Sequence, residues 1–180
     1  IFSSSLHIGQ TVPNFVREAT SGSFNLHEHV GGKWCVVFIH PKECAPVTSS
    51  EIVEIEKARP DWIQRHATVI SLSIDSLKNN SDWIKYLETK HPDVEFLHPW
   101  IADEDASVSQ LLSLIPPTTS SHIEGPLSET PSESSESSDF PTRLTLFIDP
   151  QLQLRGYFAY PTSVGRSIQE VLRFLDAVQV

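Results

Sequence analysis

Trp34-Cys35-Val36-Val37-Phe38-Ile39-His40-Pro41-Lys42-Glu43-Cys44-Ala45-Pro46-Val47-Thr48-Ser49-Ser50-Glu51 is the stretch that decides the fold. Trp34 to Ile39 is a run of apolar, β-favouring residues, and a run that short, closed by Pro41, reads as a buried strand. Further on, Thr48 precedes Glu51 by three residues, the spacing of a capping box. It predicts a helix with Thr48 at the N-cap and Glu51 at N3. Strand, short proline-bounded loop and helix start bring backbone N–H groups and the positive end of a helix dipole beside the loop. Such a place favours an anion or a thiolate.

Upstream, Gly31-Gly32 turns the chain into this strand, and two short strands are expected at residues 14–19 and 23–27, joined at Ser21-Gly22. His27 and His29 would then share a strand face; with no third ligand in view they read as scattered histidines rather than a metal pair. Downstream, Ile52, Ile55, Trp62 and Ile63 form an apolar core stripe on the helix after Thr48, which Pro60 should divide or kink. Residues 67–75 alternate as a strand. Helices are expected at residues 81–90 and 106–114. Arg143-Leu144-Thr145-Leu146-Phe147-Ile148 reads as a buried strand, returning through Asp149-Pro150 as a hairpin over residues 152–160. Ile168, Val171, Leu172 and Leu175 make one apolar face of a last helix.

Several motifs resemble the peroxiredoxins (the alkyl hydroperoxide reductase and thiol-specific antioxidant group), most closely the 1-Cys type. Their active-site loop runs Pro-x-x-x-Thr-x-x-Cys with a Glu three residues on. Here Pro41 and Glu51 match, while Ala45 stands at the threonine and Thr48 at the peroxidatic cysteine. Leu6-His7-Ile8-Gly9 through Phe15, Leu72-Ser73-Ile74-Asp75-Ser76, Phe96 through Asp103, and Tyr160-Pro161 through Gly165-Arg166 resemble further family segments, and Arg143 matches the family's active-site arginine. The resemblance implies an α/β, thioredoxin-like fold: a central mixed sheet flanked by helices, with an N-terminal β-hairpin. The extra C-terminal region of 1-Cys members is expected to be absent, as is a resolving cysteine.

The 180 residues suit a single domain, residues 1–180, with an acidic Ser/Pro-rich loop insertion at 116–139; because residue 1 is Ile, the true start is expected to lie upstream, and a removed targeting segment stays open. Two cysteines make no disulfide framework: Cys35 is expected to be buried, and a reducing, cytoplasmic or cytoskeletal compartment is the default. No apolar run reaches the ~20 residues of a membrane span. The net charge of −10 is concentrated: between Lys90 and Arg143 there is no Lys or Arg but ten carboxylates, leaving 13 acidic against 13 basic residues elsewhere. Segment 93–139 therefore disfavours nucleic acid and anionic membranes and suits a basic protein partner, or serves as a solvated face.

Peroxide reduction needs a sulfur that passes reversibly through a sulfenic acid, and a threonine hydroxyl has no such state. The sequence alone thus favours a catalytically inactive, peroxiredoxin-like structural or binding subunit, cofactor-free, of a larger assembly such as a microtubule-associated one. On that reading Pro41, Ala45, Thr48, Glu51 and Arg143 are vestigial site positions, with Arg143 paired to Glu51. The alternative is a thiol peroxidase or redox protein using Cys44 as a displaced nucleophile. Against it, Cys44 matches an aromatic packing position of the motif. A third possibility is a homo-oligomeric or ring subunit that modulates active relatives.

Overall fold

The run at residues 34–39 is covered on both faces of the sheet, which is why it is apolar throughout instead of alternating with polar residues. The computed structural model describes residues 6–40, 46–112 and 142–180. In chain order these form β1 (Val16–Ala19), β2 (Gly22–Asn25), α1 (Leu26–Val30), β3 (Trp34–His40), α2 (Pro46–Lys57), α3 (Arg59–Gln64), β4 (Ala67–Ser73), α4 (Leu77–Lys90), β5 (Trp100–Ala102), α5 (Ser107–Leu111), β6 (Thr142–Ile148), β7 (Leu154–Pro161) and α6 (Ile168–Val178). The strands make one mixed sheet in the order β2-β1-β5-β4-β3-β6-β7. β3 runs parallel to β4 and antiparallel to β6, and β1–β2 is the expected N-terminal hairpin.

Alternation along β3 feeds two cores. Cys35, Val37 and Ile39 face Leu26, Val30, Val108 and Leu112 on the side of α1 and α5. Val36 and Phe38 face Ile55, Trp62, Val171, Leu172 and Leu175 on the side of α2, α3 and α6. Ile52, Leu87 and Trp100 seat α4 in a third cluster. Close packing reaches β7, where a Cβ at Gly156 would come within 2.5 Å of the Phe174 ring. Gly156→Ala is expected to cost about 1–3 kcal/mol through overpacking. Thermal unfolding checks it, and an unchanged Tm would mean that the ring yields freely.

Several local expectations are corrected. α2 starts at Pro46, two residues before Thr48, because proline suits the first helical position. Thr48 and Glu51 therefore lie inside the helix and form no capping box. His27 and His29 sit on α1, where Asn25 accepts from Glu28 N–H as the N-cap and Gly31 closes the helix at φ 50°. Their rings bond apart, His27 Nε2 to the Val12 carbonyl and His29 Nε2 to Thr68 Oγ1. Among the described residues no group of three or more His, Cys, Asp or Glu is placed to hold a metal ion.

α4 begins at Leu77, not residue 81, because Ser76 Oγ accepts from Asn79 N–H as its cap. Pro60 falls in the first turn of α3 and divides the helices as expected. Trp62 Nε1 then donates to the Ile55 carbonyl across the break, at 2.9 Å. Ile63 lies outside the core, 66% exposed. Asp103 is no surface charge either: it is buried and accepts from Val108 N–H, Ser109 N–H and Ser109 Oγ. Asp105 faces Arg17. Loop 116–139, with half of the ten carboxylates, lies outside the described residues, as does the end of the helix expected at 106–114.

Candidate functional site

β3 ends, β6 begins and α2 starts at one place, and the segment between β7 and α6 crosses it. Antiparallel pairing of Ile39 with Leu144 puts Arg143 beside the end of β3, on the face that carries Phe38 and Phe147. Arg143 is wholly buried. Its Nε donates to the Thr162 carbonyl at 2.9 Å, and its Nη1 donates to Thr48 Oγ1 at 2.9 Å and Glu51 Oε2 at 3.1 Å.

Glu51 is also held by Arg166. Its Oε1 accepts from Arg166 N–H at 2.5 Å and from Nε at 3.1 Å, and its Oε2 accepts from Nη2 at 3.0 Å. Arg166 Nη1 clamps the strands together by donating to the Ile39 and Leu144 carbonyls, and the guanidinium lies 5.1 Å from the Phe38 ring centroid. Burial lowers the Arg166 pKa and Glu51 opposes that, so the group stays charged. Two buried guanidiniums thus share one carboxylate, leaving a positive surplus at Thr48 near the start of α2. An oxyanion or thiolate is stabilised by such a setting.

His40 completes the cluster. Arg166 only donates, so His40 Nδ1 accepts from it at 2.9 Å and the ring proton sits on Nε2, which donates to Ser71 Oγ at 3.1 Å. The ring stacks on Trp100 at 5.3 Å. Burial, then Arg166, His98 and Arg143, hold its pKa well below 6.5. Its approach to Glu51 at 3.8 Å is therefore no ion pair.

The sign of this shift fixes a pH dependence. Unfolded chain takes up a proton at His40 near pH 6.5 and native chain does not. The stability is present above that pH and is lost as pH falls below it, by up to ~1.4 kcal/mol per pH unit from this group. His29, lowered by burial and by Lys33, acts in the same direction. Urea midpoints are expected to fall between pH 7.5 and 5.5, less steeply in His40→Gln; a midpoint that rises with acid contradicts this.

Of the residues singled out from sequence, Thr48, Glu51 and Arg143 meet, and the Arg143–Glu51 pair forms as expected. Pro41, Cys44 and Ala45 lie outside the described residues. Arg166 and His40 were missed as site residues. Their signals were present, in the segment Tyr160 to Arg166 and in a histidine closing a buried strand.

The sequence pattern of the AhpC/TSA family matches residues 8–156. The chain belongs to the AhpC/TSA family. Within it, the chain is 30% identical over 175 residues to the 1-Cys peroxiredoxin of Dictyostelium discoideum, covering 97% of this chain and 65% of that one. It is also 30% identical to a mitochondrial peroxiredoxin of Saccharomyces cerevisiae, covering 97% of this chain and 63% of the relative. The chain therefore spans just under two thirds of the length of these relatives. Among solved structures, yeast mitochondrial 1-Cys peroxiredoxin superposes with a TM-score of 0.82 at 29% identity, over 97% of this chain and 76% of that one. Peroxiredoxin 6 of Arenicola marina superposes at 0.78 and 26%, over 97% and 74%.

The thioredoxin-like α/β fold expected from the sequence is thus that of these AhpC/TSA structures. The expectation of an inactive structural subunit is corrected: the relatives are named peroxiredoxins, with no structural or cytoskeletal role in their names. A microtubule-associated or cytoskeletal placement has no support, and one relative is mitochondrial. Among the described residues no helix is long and apolar enough to cross a membrane.

Proposed function

We propose that this AhpC/TSA chain is a thiol-dependent peroxidase or redox protein whose sulfur is Cys44, working beside a pocket built by Thr48, Arg143, Glu51 and Arg166. The observation that carries the reading is Arg143: wholly buried, with Nη1 2.9 Å from Thr48 Oγ1, it keeps a cationic donor at the start of α2. Keeping two arginines on one carboxylate inside a protein costs several kcal/mol in desolvation. An anionic oxygen bound there supplies the missing counter-charge.

Thr48 stands where the family's loop has its peroxidatic cysteine, and its hydroxyl offers no sulfenic state. The sulfur must come from elsewhere in the chain. Cys35 is excluded by its place: it is wholly buried in β3, and burial pushes its thiol up to about 12. Cys44 remains, four residues before Thr48. In the step proposed, the Cys44 thiolate attacks one oxygen of a hydroperoxide. The S–O bond forms as the O–O bond breaks, and the leaving alkoxide or hydroxide takes up a proton. Arg143 and Thr48 hold the peroxide oxygens and stabilise the developing charge. A thiol reductant then returns the sulfenic acid to thiol through a mixed disulfide, releasing water.

Peroxide consumption with dithiothreitol or a thioredoxin system tests the reading. Turnover is expected from the native chain, lost in Cys44→Ser and retained in Cys35→Ser. No consumption by the native chain, or undiminished consumption in Cys44→Ser, overturns it. Self-association belongs to the same proposal. It is supported by the place of β7 at one end of the sheet among the described residues, and by the half-exposed Tyr157 on it, past the start of the strand that residues 9–12 cover. Light scattering that finds only monomer at tens of micromolar overturns this part.

A further inference from the structure

A line of hydrogen bonds crosses the core from this pocket to the end of α2. From His40 Nε2 it passes at 3.1 Å to Ser71 Oγ on β4 and from there at 2.8 Å to His98 Nε2. His98 Nδ1 meets Glu56 Oε1 at 2.5 Å. Glu56 lies in the last turn of α2, where Oε1 also accepts from the Leu97 and His98 backbone N–H groups and Oε2 faces Arg59. His40, Ser71, His98 and Glu56 are all buried.

With both rings neutral, the chemistry at the two ends fixes the direction of every link. A guanidinium only donates and a carboxylate only accepts. Arg166 therefore donates to His40 Nδ1, His40 Nε2–H to Ser71 Oγ, Ser71 O–H to His98 Nε2, and His98 Nδ1–H to Glu56. Each group in the line is satisfied once in this one arrangement, which runs from a cation to an anion. Packing alone would be served by alanine or valine at the wholly buried Ser71, without the desolvation cost of a polar side chain. A fully satisfied buried polar network instead specifies one geometry.

We propose that Ser71, His98 and Glu56 are positioning residues for the Arg166–Glu51–Arg143 pocket, acting through His40 held in a single tautomer. With its Nδ1 lone pair fixed toward Arg166 Nη2, His40 sets the plane of that guanidinium. Both edges of Glu51 are then taken up, and Arg143 Nη1 stays turned to Thr48. This extends the pocket of the proposed function along the same face of the sheet to the C-terminal end of α2, but its test needs no turnover, so the two can fail separately.

Long-range 1H–15N spectra of the imidazoles in the full 15N-labelled chain at pH 7 supply the test. The two rings are expected in opposite tautomers, His40 protonated only at Nε2 and His98 only at Nδ1. The same tautomer in both rings, or a His98 protonated on both nitrogens, overturns the proposal. Proton exchange at the Arg166 guanidinium is the second readout. Ser71→Ala is expected to speed it about tenfold, the size of one lost buried hydrogen bond, and Ser71→Thr, which keeps the hydroxyl, to restore it. Equal rates in Ser71→Ala and the native chain overturn the positioning role. If Ser71→Ala does not fold, the native tautomers decide alone.

Discussion

Glu51→Ala is expected to lose about 3–5 kcal/mol of stability, the scale on which breaking a buried ion pair destabilises a domain. Glu51 carries hydrogen bonds from Arg143 and from both the backbone and the guanidinium of Arg166. Its removal leaves two cations facing one another without water. The same substitution frees the segment before α6, since Arg166 N–H loses its acceptor. Urea unfolding monitored through Trp62 and Trp100, which are buried on the same side of the sheet, measures the loss. A shift of less than ~1 kcal/mol would mean that the two arginines find other anions, and that Glu51 is not what organises the site. Glu51→Gln, which keeps the acceptor oxygen but not the charge, should fall between.

Thr48→Cys carries the second large effect. Built in a Cys35→Ser, Cys44→Ser background, it places a sole sulfur where Arg143 Nη1 now meets an oxygen at 2.9 Å. A helix start and an adjacent arginine bring a thiol from ~8.5 to ~7 or below. At pH 7 the thiolate fraction then rises from a few per cent to about half or more, roughly a tenfold gain in alkylation rate. The pH dependence of iodoacetamide labelling measures it directly. A midpoint at ~8.5 would show that the pocket does not act on an anion at this position.

The order of strands and helices was legible because the interior strands carry their own signatures, β3 a continuous apolar run and β4 an alternation of β-branched and apolar residues with polar ones. What was misread turned on partners distant in sequence. Thr48 and Glu51 have capping-box spacing, yet the Glu51 carboxylate goes to arginines more than ninety residues away. No local pattern reports that. Leu26–Val30 mimics strand alternation because a five-residue helix is too short to show its own period. Asp103 looked like surface charge and is instead the internal acceptor for α5, a role set by the fold around it. At the site, one of the two ion pairs of Glu51 was expected from sequence. Arg166 was missed because its function lies in contacts with Ile39, Leu144 and Glu51, from three separate elements.

Cys35, wedged in the middle of the central strand with its thiol pushed up to about 12, gives the molecule an internal gauge of its own cohesion. Reagent can reach that sulfur only after the layer packed over this face of the sheet, with Leu26 and Val30 of α1, has opened. Its labelling rate in native buffer, divided by the rate in a denatured chain, therefore reads the free energy of opening the core on this face of the sheet. Once Cys44 has been blocked, a single slow modification in mass spectrometry would follow that opening without any added denaturant.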